Sequence, residues 1–191
     1  MTIRQVYWHT SKKDFINEDA FIYCPMCGKS LECHLAGNLP RQTCPDCGYI
    51  HFRNPSPTIS LLIIDRDQIL LGKRCGDDDP NSWATPSGYI EYGEDFITSA
   101  IREAKEETGL VIEIISILNI TDSFFSSGNH YLNIYLLAHV VGGELSAGDD
   151  MSELGWFSIY EPLPKMAFQE DIDMVALYRQ AKHKFLPIEQ H

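Results

Sequence analysis

From residue 58 onward the apolar positions follow two alternating rhythms. Thr58–Ile64 and Gln68–Arg74 are aliphatic, β-branched runs of strand length flanking Asp65-Arg66-Asp67, a pattern that predicts a β-hairpin. The rhythm then changes: Ile97, Ala100, Ile101, Ala104 and Thr108 recur at the helical interval, so a helix with that face buried is expected. It starts near Glu94-Asp95, where acidic residues favour the positive end of the helix dipole, and stops at Gly109, a left-handed cap. Val111–Thr121 and Tyr131–Val141 read as strands, with turns at Gly142-Gly143 and Ser146–Asp150. Ile172, Val175, Ala176 and Tyr178-Arg179 place a second covering helix over Glu170–Lys184. Strand, strand, helix, strands, helix in this order predicts an α/β fold, a mixed sheet between helices.

Upstream there is no such periodicity. Residues 1–20 are polar and unpatterned apart from Val6-Tyr7-Trp8. From Tyr23 the text becomes CPMCG, fifteen residues, then CPDCG, giving Cys24, Cys27, Cys44 and Cys47 as candidate metal ligands. Each CxxC turn brings two thiolates to one side of a knuckle, and together they make a closed tetrahedral Zn²⁺ site of the zinc-ribbon kind. Two disulfides and redox chemistry are the competing uses of such pairs. The segment is too short for its own core, so metal binding should supply much of its folding energy. Cys33, His34 and His51 are read as surface or packing residues of this ribbon. Asn54-Pro55-Ser56-Pro57 is a stiff extended linker, because its prolines fix φ and exclude a helix. The chain therefore divides into an extension over 1–20, a zinc ribbon over 21–54 and the main domain over 55–191.

Composition and charge narrow the partners. The 191 residues are 44% hydrophobic, enough for an ordinary core. Of the formal charge of −12, residues 1–57 hold +1 and the remainder −13. Neither part offers the basic footprint of a nucleic-acid binder, so no nucleic-acid partner is expected. An acidic chain tolerates phosphate substrates only where metal ions screen it. No signal-peptide core or membrane-length apolar run is present, so no membrane partner and a cytoplasmic location are expected. Cys75 reads as an isolated structural thiol, and Asp77, Asp78 and Asp79 as a solvated turn.

The candidate chemistry lies in GYIEYGEDFITSAIREAKEETGL, residues 88 to 110. On the helix Glu103, Glu106 and Glu107 share a patch spread over roughly 100° of arc, away from the apolar face. Like charges at these spacings repel, and Arg102, within reach of Glu106 and Glu94, does not neutralise them all. A hard divalent cation with oxygen ligands fits the patch. Gly88, five residues, Glu94, seven residues, Arg102-Glu103, Ala104, Lys105, Glu106-Glu107, Thr108, Gly109, Leu110 resembles the signature of the Nudix hydrolase family. The one departure is Ala104, where a larger aliphatic is usual.

That resemblance implies a Nudix α/β/α sandwich with a mixed sheet, covering about residues 57 to 185, and hydrolysis of a diphosphate with Mg²⁺ or Mn²⁺. It implies Glu103, Glu106, Glu107 and the Gly88 carbonyl as metal ligands, with Arg102 and Glu94 holding helix and loop by an ion pair. Glu153, before Leu154-Gly155-Trp156-Phe157, resembles the acidic residue that in many members is a metal ligand or general base. Glu106 and Glu153 are therefore rival bases.

Phe124, Phe125 and Phe168 are candidate substrate contacts that can stack on a base, although core packing explains each of them as well. Trp83 is read as core. A zinc ribbon before a Nudix domain resembles NADH pyrophosphatases and a group acting on ADP-ribose or FAD. Pro162–Gln169 departs from the NADH pattern, and Met166-Ala167-Phe168 is more similar to the second group. The expectation is thus an ADP-ribose or FAD pyrophosphohydrolase releasing a nucleoside monophosphate. NADH or nucleoside triphosphate cleavage is the alternative. A non-catalytic alternative is a nucleotide sensor or ribbon-mediated binding module, against which the intact glutamates argue. The resemblance also allows a homodimer.

Overall fold

A computed structural model describes residues 21–75, 81–124, 129–181, 185, 187 and 188. The readings of the 1–20 extension, of Asp77, Asp78 and Asp79, and of Phe125 lie outside the described residues. The chain forms two compact units, one ending at Ser56 and taking in Phe124 and His130, the other beginning at Pro57.

In the first unit two near-identical knuckles face one another in sequence. The Cys24 N–H donates to the Lys29 carbonyl (2.7 Å) and the Gly28 N–H to the Cys24 carbonyl (2.9 Å). The second turn repeats this, Cys44 to Tyr49 at 2.8 Å and Gly48 to Cys44 at 3.0 Å. Gly28 and Gly48 sit at φ 73° and 74°, in the left-handed region that closes such a turn without a side-chain clash. Between the knuckles, β1 (Glu32–Ala36) and β2 (Leu39–Thr43) form an antiparallel hairpin from Glu32↔Thr43 to Ala36↔Leu39. Cys33 is exposed on it, as is His34, which pairs with Glu32 at 2.9 Å.

The second unit is built on a mixed sheet of seven strands. β3 (Ser56–Asp65) and β4 (Gln68–Arg74) form the expected hairpin, with Arg66 at φ 56° in its turn. Ser56 and Pro57 are drawn into β3 instead of remaining linker, and the Pro57 carbonyl accepts the Ile90 N–H. Short β5 (Trp83–Ala84) pairs with β4, and β6 (Ser87–Tyr89) with β3. β7 (Leu110–Phe124) and β8 (His130–Gly143) are longer than their apolar runs, and Gly142-Gly143 belongs to β8 rather than to a turn. β9 (Met151–Ser158) pairs antiparallel with β4, and the central order is β5-β4-β3-β8-β7.

Alternation along β3 sends residues to two separate cores. Ile59, Leu61 and Ile63 pack with Ala100 and Ala104 of α1 (Phe96–Thr108), whereas Leu62 and Ile64 pack with Met174, Val175 and Tyr178 of α2 (Gln169–Ala181). A helix on each face makes the α/β/α sandwich, and each fully buried aliphatic contributes about 1.5–3 kcal/mol. Two stripe assignments change. Ile101 is exposed, and α1 buries Ser99, Glu103 and Glu107 beside its alanines. The cause is β6, which lies along that flank and takes polar rather than apolar partners. On α2, Ile172 is exposed and the stripe begins at Asp171, one residue earlier.

The ends of α1 are held by identifiable groups. Asp95 is the N-cap, its carboxylate accepting the Ile97 and Thr98 N–H groups at 2.9 and 3.0 Å. Gly109 closes the other end at φ 72°. There the β8–β9 connection docks, Ser146 N–H donating to the Thr108 carbonyl (2.9 Å) and Gly148 N–H to the Glu107 carbonyl (3.1 Å). Carbonyls that a helix end leaves unpaired are thereby satisfied. Cys75 is exposed, its thiol 3.7 Å from the Asp149 carbonyl, so it is not a core thiol. Among the described residues no helix is long and apolar enough to cross a membrane.

Candidate functional site

One guanidinium organises the acidic face of α1. Arg102 grips Glu94 with two parallel bonds, Nε to Oε1 at 3.0 Å and Nη2 to Oε2 at 2.9 Å. Nη1 donates to Glu103 Oε1 at 2.7 Å and to Glu106 Oε2 at 3.0 Å. Nη2 also reaches the Tyr89 carbonyl at 3.1 Å. The fork geometry of arginine makes this possible, since a point cation could not span carboxylates from a loop and two helical positions. The pairing with Arg102 holds the Glu94 carboxyl below its ordinary range.

Glu103 and Glu107 turn inward, one turn apart, toward β6. Burial raises the Glu103 carboxyl, against the pull of Arg102. Glu107 is 3% exposed, and burial pushes it up to about 8, with Glu103, Asp150 and Asp149 adding to the rise. Its Oε2 accepts the Ser87 N–H at 2.9 Å. Gly88 lies against Glu103 so closely that a Cβ there would overlap the carboxylate. The sequence therefore brings Gly88, Glu94, Arg102, Glu103, Glu106 and Glu107 to one place. It is a carboxylate-rich patch with one cation already shared among three acids, a donor set suited to a hard divalent ion.

The other candidates have different surroundings. Glu153 is exposed on β9, its carboxylate 3.3 Å from Lys73 Nζ on the paired strand β4. Phe168 lies beneath the Arg74 guanidinium, 5.1 Å from ring centroid to Cζ. Phe124 stacks on His130 with ring centroids 3.9 Å apart and planes at 17°. Trp83 is half-buried beside the α2-side core, edge-on to Phe157.

Three features escaped the sequence reading. Asp149 and Asp150 sit near enough to raise Glu107, yet they read as turn residues. Thr85 and Ser87 act mainly through backbone N–H groups, which no residue type announces. Asp171, 1% exposed, accepts bonds from Thr85 and Tyr135, and in the sequence it resembles any acid in the first turn of a helix.

In the first unit the four cysteine sulfurs lie within 4.8 Å of one another. Cys24 to Cys47 is 3.6 Å and Cys27 to Cys44 is 3.5 Å, too long for disulfides. A tetrahedron of sulfurs about 2.3 Å from a zinc ion has edges of about 3.8 Å, so the cluster fits that metal. The Cys47 backbone N–H leads the contacts that draw the Cys44 thiol down to about 7, whereas Cys27 and Cys47, beside the other sulfurs, are raised.

Comparison with known proteins follows the same division. The NUDIX domain profile matches residues 54–178, and a zinc-ribbon profile described as Nudix N-terminal matches residues 23–53. An ADP-ribose pyrophosphatase of Methanocaldococcus jannaschii is 36% identical over 124 residues, 64% of this chain and 71% of that protein. A NAD-capped RNA hydrolase NudC of Pseudomonas aeruginosa is 26% identical over 78% of this chain but 52% of its own length, so the chain spans about half of that relative. The crystal structure of a NUDIX hydrolase from Nitrosomonas europaea matches with a TM-score of 0.76 at 24% identity, covering 88% of this chain and 96% of that one, a likeness of fold.

Proposed function

The chain belongs to the NUDIX family, and from that premise we propose that it is a divalent-metal-dependent pyrophosphohydrolase of nucleoside diphosphates linked to another moiety, ADP-ribose or FAD, releasing a nucleoside monophosphate. The observation that carries this reading is the Arg102 hub. It holds three carboxylates at 2.7 to 3.0 Å beside a fourth that burial leaves poorly ionised.

Such a cluster is electrostatically costly in a metal-free chain and is relieved by a cation. Glu103, Glu106, Glu107 and the Gly88 carbonyl are the groups that would hold it. Bound there, Mg²⁺ or Mn²⁺ supplies neutralisation of the diphosphate oxygens and acidification of water. Arg102 and Glu94 orient the helix against the β6 loop. Proton acceptance from water falls to Glu106, whose Oε2 alone is engaged by Arg102; Glu153 is the rival and must first release Lys73. Phe168, beneath the Arg74 guanidinium, is the first candidate to stack on a base, and Phe124 and Phe125 supply a second. Cys24, Cys27, Cys44 and Cys47 hold a structural Zn²⁺. The partner is a small nucleotide, and a cytoplasmic homodimer acting on neither nucleic acid nor membrane completes the proposal.

ADP-ribose is favoured because the ADP-ribose pyrophosphatase relative is 36% identical and covered over 71% of its length. NADH-type dinucleotide cleavage is a second reading, favoured by the NudC relative, whose match takes in 78% of this chain. The test is hydrolysis of ADP-ribose, FAD, NADH, NAD⁺, NAD-capped RNA and nucleoside triphosphates with Mg²⁺ or Mn²⁺, beside Glu106→Gln. Selective cleavage lost in the variant supports the reading. An inactive wild type across the panel would favour a nucleotide-binding module.

A further inference from the structure

An ionisable residue within the buried stripe of a helix is costly unless it is fully satisfied. Asp171 of α2 is 1% exposed and accepts three hydrogen bonds. Oδ1 takes the Tyr135 hydroxyl and the Thr85 hydroxyl, each at 3.0 Å, and Oδ2 takes the Thr85 N–H at 3.0 Å. All three donors are neutral, and among the described residues no ion pair offsets the burial, which pushes Asp171 up to about 6. An aliphatic of similar size would fill the stripe without that cost. The acid has to be explained by what it holds.

What it holds is the start of the strand-to-box loop. Thr85 is followed by Pro86, whose φ is fixed and whose carbonyl accepts the Leu61 N–H at 2.8 Å. Ser87 comes next, and its N–H binds Glu107 Oε2 at 2.9 Å. Among the described residues that N–H is the donor to the Glu107 carboxylate. A short, stiff link thus runs from α2 on one face of the sheet to a carboxylate of α1 on the other.

We propose that Asp171 is a positioning residue, fixing Glu107 for the metal through Thr85, Pro86 and Ser87; the inference rests on the metal-dependent reading above. Asp171→Asn retains the link, because its amide oxygen accepts the Thr85 N–H while its NH₂ faces two hydroxyls that can turn to accept. Asp171→Leu fills the volume and breaks the link. Tyr135→Phe removes one bond to Asp171 without touching Thr85.

The test is direct Mn²⁺ binding, read from the electron paramagnetic resonance of free Mn²⁺ and independent of turnover, with thermal unfolding alongside. Asp171→Leu is expected to bind about tenfold more weakly. Asp171→Asn and Tyr135→Phe are expected to stay near wild type, even where Tyr135→Phe lowers the melting temperature. Wild-type affinity in Asp171→Leu overturns the inference, as does equal weakening in Tyr135→Phe, which would make the effect one of stability. If Asp171→Leu does not fold, Thr85→Val, which drops one of the three bonds, is expected to weaken binding measurably, and unchanged affinity there overturns it. Glu107→Gln is the control: a wild type that binds no Mn²⁺, or binds it as Glu107→Gln does, removes the metal reading itself.

Discussion

The Glu103 carboxylate occupies the space that any side chain at Gly88 would need. The atoms in conflict are the far end of a flexible side chain, so the backbone need not move when the glycine is replaced. Gly88→Ala should therefore fold with its melting temperature within a few degrees of wild type while Glu103 is displaced. Activity with Mn²⁺ is expected to fall about 100-fold, as for loss of a well-placed polar group. A folded, fully active Gly88→Ala would show that Glu103 does not need its observed place.

Arg102 is the second test. Lysine keeps the charge but cannot bond Glu94 twice and also reach Glu103 and Glu106. Arg102→Lys should lose about 10- to 100-fold in kcat, the range for groups that orient metal ligands, with a smaller change in KM. Steady-state kinetics on the favoured substrate measures the split.

Metal-free protein should respond to pH with an unusual sign. Glu107 rises from an ordinary 4.5 to about 8 in the folded chain, so between those values the native state binds the extra proton. Stability from this group is complete below about 4.5 and is lost as pH rises toward 8. Asp171, raised from 3.8 to about 6, acts in the same direction over its own lower window. Chelated wild type should thus melt at a lower temperature at pH 8 than at pH 6, and Glu107→Gln should flatten that slope. Added Mn²⁺ should restore the wild type at pH 8 and leave Glu107→Gln little changed.

Zinc removal should act locally. The ribbon hairpin has mostly exposed residues, so the four sulfurs are its principal cross-link. Strong chelation is expected to expose residues near 21–54 to protease while the α1 and α2 dichroism persists. A protease-resistant ribbon after verified zinc loss would contradict this.

Much of the site was legible because its chemistry is written in residue type and spacing. Glu94, Arg102 and the glutamates announced their cluster, and two CxxC pairs announced the sulfurs. The orientation of α1 was less legible. Ile101 suggested a purely apolar stripe, but β6 gives Glu103 and Glu107 partners that a periodicity argument cannot weigh. Asp171 was invisible for a related reason: its role depends on Thr85 and Tyr135, distant in sequence, and on a backbone N–H. The hairpin at Arg66 was predictable, whereas the reach of β7 and β8 beyond their apolar runs was set by pairing rather than propensity.

The docking of Ser146 and Gly148 on the last carbonyls of α1 also limits how the gene can vary. The connection from Gly143 to Met151 is clamped in its middle to the helix that carries the glutamates and at its far end to the register of β9 on β4. Surface connections ordinarily absorb insertions and deletions. Here a single added codon would have to release one of those clamps, so variation in length should accumulate in other loops and avoid this one.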